Sequence, residues 1–175
     1  SGLHSDQYVQ CAKLLSHPKK AELICSSLCE KIKKDLDNIN IILSPAIGGI
    51  VVGYEIGRQL GIETIFAERS EGKFNLRRGF EISKNSNVLV VEDVITTGKS
   101  ALECSKLIKD SKANLAGYSC IIDRSNENSK IKESIISQVK LKIDTFKNTD
   151  LPEKLKKIKP IEPGSRNLSK WESKD

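Results

Sequence analysis

The amino-acid sequence predicts an α/β protein with a mostly parallel central sheet flanked by helices, on three observations. Apolar runs at 39–43, 88–91 and 115–123 lack steady polar alternation, the pattern of strands covered on both faces. Between them, apolar residues recur at spacings of three and four, over enough chain for a helix to cross between parallel strands. The chain has 175 residues, 38% of them hydrophobic, so one core can form without disulfides or a structural metal, and 1–175 is expected to be a single domain.

Taken in order, the first helix is expected over 18–36, where Ala21, Ile24, Cys25, Leu28, Cys29, Ile32 and Leu36 share a face and Pro18 stands in the first turn. A strand over 39–43 is punctuated by Ser44-Pro45-Ala46-Ile47-Gly48-Gly49. A helix over 50–60 stops at Gly61, which suits a left-handed cap. A strand at 62–67 leads into 68–79, where four basic residues face two acidic ones; it reads as a long connection or mobile hairpin of the functional kind. Val88-Leu89-Val90-Val91 is the central strand. A helix over 99–110, carrying Leu102, Leu107 and Ile108, and strands over 115–123 and 139–143 complete the alternation. Beyond them Pro152, Pro160 and Pro163 predict loose packing.

Charge and cysteine content exclude several classes. The net charge is +6, but residues 1–129 hold 17 basic and 16 acidic groups against 12 and 7 in 130–175, so most of the excess belongs to the tail. Lys154, Lys156, Lys157 and Lys159 lack interleaved aromatics, which disfavours a nucleic-acid partner. The five cysteines are odd in number and form no C-x-x-C pair, against a disulfide framework or a zinc site. No apolar run reaches about 18 residues, so no membrane span is expected. The chain has no methionine and begins at Ser1 without an apolar leader, so a cytoplasmic protein lacking its native start is expected.

In an open α/β sheet, ligands bind beyond the carboxyl ends of the strands. The turn after Val91 is the richest such place: Glu92-Asp93-Val94-Ile95-Thr96-Thr97-Gly98-Lys99-Ser100. Thr96, Thr97 and Ser100 hydroxyls, free backbone N–H groups and the positive end of a helix make a phosphate cradle. Two carboxylates ahead of it need a different ligand, and ribose hydroxyls or magnesium suit them. A nucleotide P-loop is ruled out because it needs glycine where Asp93 stands, and Gly48, Gly49 and Gly53 have the wrong spacing for a dinucleotide fingerprint.

Residues 88–100, an apolar strand, two acids, two aliphatics and Thr-Thr-Gly-Lys-Ser, closely resemble the phosphoribosyl-diphosphate motif of the type I phosphoribosyltransferases. The rest of the chain resembles the orotate phosphoribosyltransferases within that family, through Ser1 to Tyr8, Ser44 to Gly49, Arg69 to Gly79, Cys120 to Arg124 and Ile161 to Arg166. The resemblance implies the type I fold with a small hood made by the N-terminal and C-terminal segments. Family members carry a further helix and strand before the Ser-Gly, so that segment is expected to be lacking here. The implied reaction joins orotate to phosphoribosyl diphosphate, giving orotidine monophosphate and diphosphate, with magnesium carried by the diphosphate substrate and no protein metal ligand. Glu92 and Asp93 would hold the ribose hydroxyls. The stretch from Glu92 through Val94, Ile95, Thr96, Thr97, Gly98, Lys99 and Ser100 would bind phosphoribosyl diphosphate. Lys73, with Arg69 at the base of its loop, would meet the leaving diphosphate. Thr96 and Arg124 would bind orotate, the planar guanidinium matching its carboxylate. A homodimer with shared active sites is also implied.

Two departures are visible: Asn75 stands where some relatives have a histidine, and Gly48 where they often have lysine. The alternatives are a purine or uracil phosphoribosyltransferase, which needs no cation for a base carboxylate, and a non-catalytic nucleic-acid-binding regulator that senses phosphoribosyl diphosphate. A structural ion pair, with Arg124 held by Asp123 or another nearby acid, is the competing role for that arginine.

Overall fold

The structure is a computed structural model that describes residues 4–125 and 129–161. Ser1 to Leu3, and the resemblance at 162–166 with Pro163, lie outside the described residues. Two compact units are present, Gln10–Lys142 and a smaller one made of Ser1–Val9 with Ile143–Asp175.

The larger unit holds helices α1 (Cys11–Leu15), α2 (Pro18–Asp35), α3 (Gly48–Leu60) and α4 (Lys99–Asp110), and strands β1 (Ile41–Pro45), β2 (Glu63–Ser70), β3 (Lys73–Leu76), β4 (Asn87–Ile95), β5 (Asn114–Asp123) and β6 (Ile135–Lys140). The sheet order is β3-β2-β1-β4-β5-β6. All neighbours are parallel except the β2–β3 hairpin. Val88 to Val91 are fully buried in the centre, as their unbroken apolar run requires.

Strand alternation divides the core in two. Leu43, Val88 and Val90 pack with Ala101, Cys104 and Ile108 of α4. The opposite face receives α3, whose Gly49, Gly53 and Gly57 recur every four residues. A Cβ at Gly53 or Gly57 would collide with the hydroxyl of Ser44 or Thr64, so the glycine row lets the helix lie close on β1 and β2. Helix α3 stops at Gly61, φ +68°, the expected left-handed cap.

Three readings are corrected and one alternative is decided. The strand placed at 139–143 is β6, four positions earlier at its start, paired from Tyr118↔Ile135 to Asp123↔Lys140. Apolar Val139 and Leu141 misled the assignment: Val139 is 42% exposed on this edge strand, and at Leu141 the chain turns to give its N–H to the Asp123 carbonyl. Helix α1 was missed because five residues are too short to show a period. Of the two readings of 68–79, a long connection or a hairpin, the hairpin is the one that forms. It is a tight hairpin, with Glu71 at φ 50° and Gly72 at φ 79° between paired Ser70 and Lys73, the signature of a two-residue turn that matches strand twist. Finally, β4 runs on to Ile95, so Glu92 and Asp93 sit in the strand and not in the turn beyond it.

The outer edge of β6 is held by α2. Lys31 Nζ donates to the carbonyls of Ser137 (2.9 Å) and Gln138 (3.1 Å), and Gln138 Nε2 donates to Ser27 Oγ. In the smaller unit, His4 and Phe146 form an antiparallel bridge, and Asp6 pairs with Lys154. The two terminal segments thus assemble together as expected, with a short helix α5 (Glu153–Lys156) that buries no side chain. Among the described residues no helix is long and apolar enough to cross a membrane.

Candidate active site

At the carboxyl end of β4 the chain bends through Thr96 and Thr97, both exposed, and reaches Gly98 at φ 73°. Glycine is needed there twice over. The backbone is left-handed, and a Cβ would stand 2.6 and 2.7 Å from Ile131 Cγ1 and Cδ1. Ile131 is 7% exposed, and the Lys130 N–H donates to the Thr97 carbonyl, so the segment after β5 braces the bend. Helix α4 then opens at Lys99 with no capping side chain and no acid in its first turn. Its leading N–H groups and dipole are left to an anion, with the Thr96, Thr97 and Ser100 hydroxyls around them.

Glu92 and Asp93 are consecutive on a strand, so their side chains leave opposite faces. Glu92 shares the α4 face with Val88 and Val90, where its charge helps raise the Cys104 thiol above its ordinary pKa, after burial. Asp93 faces α3. Its Oδ1 accepts the Val94 N–H at 2.9 Å, its carbonyl lies 3.9 Å from the Cys11 Sγ of α1, and burial pushes its carboxyl above the usual range. No cation pairs with it among the described residues.

Lys73 heads β3 on the sheet edge, exposed, and takes part in no ion pair among the described residues. Arg69, three residues before the hairpin tip, is tied down. It donates to the Gly72 carbonyl at 2.6 Å, pairs with Glu103 of α4 at 2.9 Å, and lies 4.1 Å over the Phe74 ring. In this arrangement Arg69 anchors the hairpin to the helix that begins at the phosphate loop. Glu68 and Arg78 form a second clasp with two contacts of 2.9 Å.

Arg124 follows β5 and gives its N–H to the Ile95 carbonyl at 2.8 Å, which brings it beside the start of the bend. Its Nε is buried without a hydrogen-bond partner among the described residues. Asp123, 3% exposed, accepts the Ser125 N–H at 2.7 Å and lies 3.7 Å from Lys140 Nζ. The competing ion pair of Arg124, with Asp123 or another acid, does not form among the described residues.

The sequence reading missed Cys11 behind Asp93, Glu103 opposite Arg69, and Ile131 against Gly98. None has a local signal, since each acts across a tertiary contact. The carboxyl ends of β4 and β5 therefore gather the phosphate loop, the acids and Arg124.

Comparison with known proteins assigns the class. Residues 12–155 match the phosphoribosyl transferase domain, so the chain belongs to the phosphoribosyltransferases. Solved structures show the same fold. An adenine phosphoribosyltransferase from Thermoanaerobacter pseudethanolicus superposes with a TM-score of 0.66 at 14% identity, over 77% of this chain and 88% of that one. An orotate phosphoribosyltransferase from Aeropyrum pernix gives 0.65 at 18%, over 77% and 79%. The particular branch follows from sequence. The orotate phosphoribosyltransferase of Maricaulis maris is 40% identical over 97% of this chain and 88% of its own length. That of Thermoanaerobacter sp. is 43% identical over 96% and 87%. Within the family, this chain belongs with the orotate phosphoribosyltransferases.

Proposed function

We propose that the chain transfers the ribose 5-phosphate of phosphoribosyl diphosphate to orotate, giving orotidine 5′-monophosphate and diphosphate, a step of pyrimidine synthesis, and that both units act as one catalytic domain in the cytoplasm. A ring nitrogen attacks the anomeric carbon as diphosphate departs, through a sugar with oxocarbenium character. The protein has little covalent work, and its contribution is positioning and charge stabilisation.

The bend from Thr96 to Ser100 holds the 5-phosphate on the open end of α4. Asp93 accepts from the ribose hydroxyls, and Glu92, leaving the other face of β4, adds negative charge near the developing cation. Lys73, exposed at the hairpin tip, neutralises the departing diphosphate, while Arg69 holds that hairpin in place. Among the described residues no three His, Cys, Asp or Glu side chains gather as a metal nest. A magnesium ion carried by the diphosphate substrate would supply charge neutralisation to the leaving group, with Glu92 and Asp93 as the acids at hand. A homodimer, with the hairpin of one copy serving its neighbour's site, agrees with the exposed position of Lys73.

The observation that carries the choice of orotate is Arg124. Its buried guanidinium Nε lacks a partner beside the phosphate loop, and the adjacent carboxylate is committed elsewhere. A planar cation held unpaired is suited to a ligand carboxylate, which orotate has and adenine or uracil lacks. The test is to mix protein, phosphoribosyl diphosphate and magnesium with orotate and follow its absorbance. Turnover of adenine, hypoxanthine or uracil with none of orotate would overturn the assignment.

A further inference from the structure

Asp123 is the most deeply buried carboxylate among the described residues, 3% exposed at the last position of β5 and one residue before Arg124. A buried acid beside a cation ordinarily pairs with it. No such pair forms among the described residues. Instead Asp123 Oδ1 accepts the N–H of Ser125 at 2.7 Å, the pattern in which an Asp or Asn side chain closes a turn on its own backbone. The ring so closed contains the whole backbone of Arg124.

The conformation of Arg124 is set by the two planar peptide groups on either side of its Cα. The preceding one is held by neighbouring strands: the Arg124 N–H donates to the Ile95 carbonyl at 2.8 Å, and the Asp123 carbonyl accepts the Leu141 N–H at 2.8 Å. The following one is held, among the described residues, by the Asp123 carboxylate alone. We infer that Asp123 is a positioning residue: by fixing the peptide after Arg124 it aims the guanidinium at the ligand's carboxylate, and being so engaged it leaves that guanidinium without an ion pair of its own. The inference rests on the proposed role of Arg124 in meeting orotate. Lys140 is a minor partner, because its Nζ lies 3.7 Å from Asp123 Oδ2, past hydrogen-bond reach, and its side chain is 74% exposed, where solvent screens the pair. The acceptor atom of Asp123 therefore matters more than its charge.

The test is a graded series at Asp123. Asparagine keeps the acceptor without the charge, serine closes the same turn more weakly, and alanine cannot close it. KM for orotate is expected to stay within about twofold of wild type in Asp123→Asn, to rise about threefold in Asp123→Ser and about tenfold in Asp123→Ala, while phosphoribosyl diphosphate affinity, by calorimetry, stays within about twofold throughout. Lys140→Ala should leave KM for orotate unchanged. Amide hydrogen exchange at Ser125 reads the turn without using turnover: its protection should match wild type in Asp123→Asn and fall about tenfold in Asp123→Ala. An Asp123→Asn variant as impaired as Asp123→Ala, a Lys140→Ala variant impaired alike, or equal losses for both substrates overturns the inference even if the wild-type protein turns over orotate. Absence of orotate turnover in the wild type overturns the proposed function, and the Ser125 exchange series then decides whether Asp123 holds the turn. If Asp123→Ala fails to fold, Asp123→Ser decides: a raised KM for orotate with weakened Ser125 protection supports the inference, and wild-type values in both sink it.

Discussion

Replacing Gly98 by alanine separates two costs that the structure superimposes at one residue. The backbone there is left-handed, φ 73°, which costs a residue with a Cβ roughly 1–2 kcal/mol. The new Cβ would also stand 2.6 and 2.7 Å from two Ile131 carbons, and forcing extra volume into packed surroundings costs about 1–3 kcal/mol. Losing glycine's freedom in the unfolded chain returns about 0.4–1 kcal/mol. The net loss is about 2–4 kcal/mol, equivalent to a fall in Tm of roughly 5–15 °C for a chain of this size. Gly61→Ala is the matched control: its φ is +68°, but nothing lies within 4 Å of its Cβ, so only the backbone cost remains, about 1 kcal/mol. Urea unfolding of both variants, with equal m-values, gives the comparison. Ile131→Ala deletes the two clashing carbons while leaving Cβ at 3.7 Å, an ordinary contact, so Gly98→Ala should cost about 1–2 kcal/mol less on that background. A Gly98→Ala variant no less stable than Gly61→Ala, or one indifferent to Ile131, would show that the segment after β5 does not brace the phosphate loop.

Lys73→Ala is expected to lower kcat by about a hundredfold with KM for either substrate within about threefold, and equal losses in kcat and binding would reduce the hairpin lysine to a simple ligand contact. Arg124→Lys should raise KM for orotate by about tenfold or more and leave phosphoribosyl diphosphate binding intact, as measured by calorimetry, because an ammonium cannot reproduce a planar bidentate contact. Asp93→Asn should stabilise the protein at neutral pH. Burial raises the Asp93 pKa, so the folded state holds that proton more tightly than the unfolded one, and ionisation costs stability as pH rises. The gain should vanish below about pH 4, the unfolded value, and a gain that persists there would contradict the assignment. All five cysteines are buried and free, with burial pushing Cys11 and Cys25 to about 12 and Cys29 to about 11, so none should react with a thiol reagent near neutral pH until the chain unfolds. Rapid labelling of any one of them in the native protein would refute its burial.

The legible parts of the fold were those with a period or a punctuation mark. Val88 to Val91 announced the central strand by unbroken apolarity, and Gly61 announced the end of α3 by its conformational freedom. The bend between β4 and α4 was legible because hydroxyls, a glycine and the start of a helical period stand together in nine consecutive residues. What stayed hidden depends on partners far along the chain. Arg69 could be read as a cation but not as one held by Glu103 and Phe74, because that choice is made only when the hairpin meets α4. The placement of β6 failed for a related reason: an edge strand is covered on one side, so its register is dictated by β5 and not by its own apolar residues. Composition could not show that Asp123 turns to Ser125 and leaves Arg124 Nε without a partner among the described residues, since both acid and base lie side by side in sequence.

The two outer strands of the sheet also bear on how the protein behaves at high concentration. Unpaired strand edges can template the addition of another chain. At β6 the Lys31 ammonium occupies two carbonyls, which leaves fewer acceptors for an incoming strand. At β3, only four residues long, the guard is Lys73 itself, an exposed charge on the free edge. The lysine proposed to meet the leaving diphosphate thus also places a charge on the free edge of the sheet. Removing it strips a site cation and an edge charge together, so sedimentation of the Lys73→Ala variant belongs beside its kinetics, to keep self-association from being read as lost chemistry.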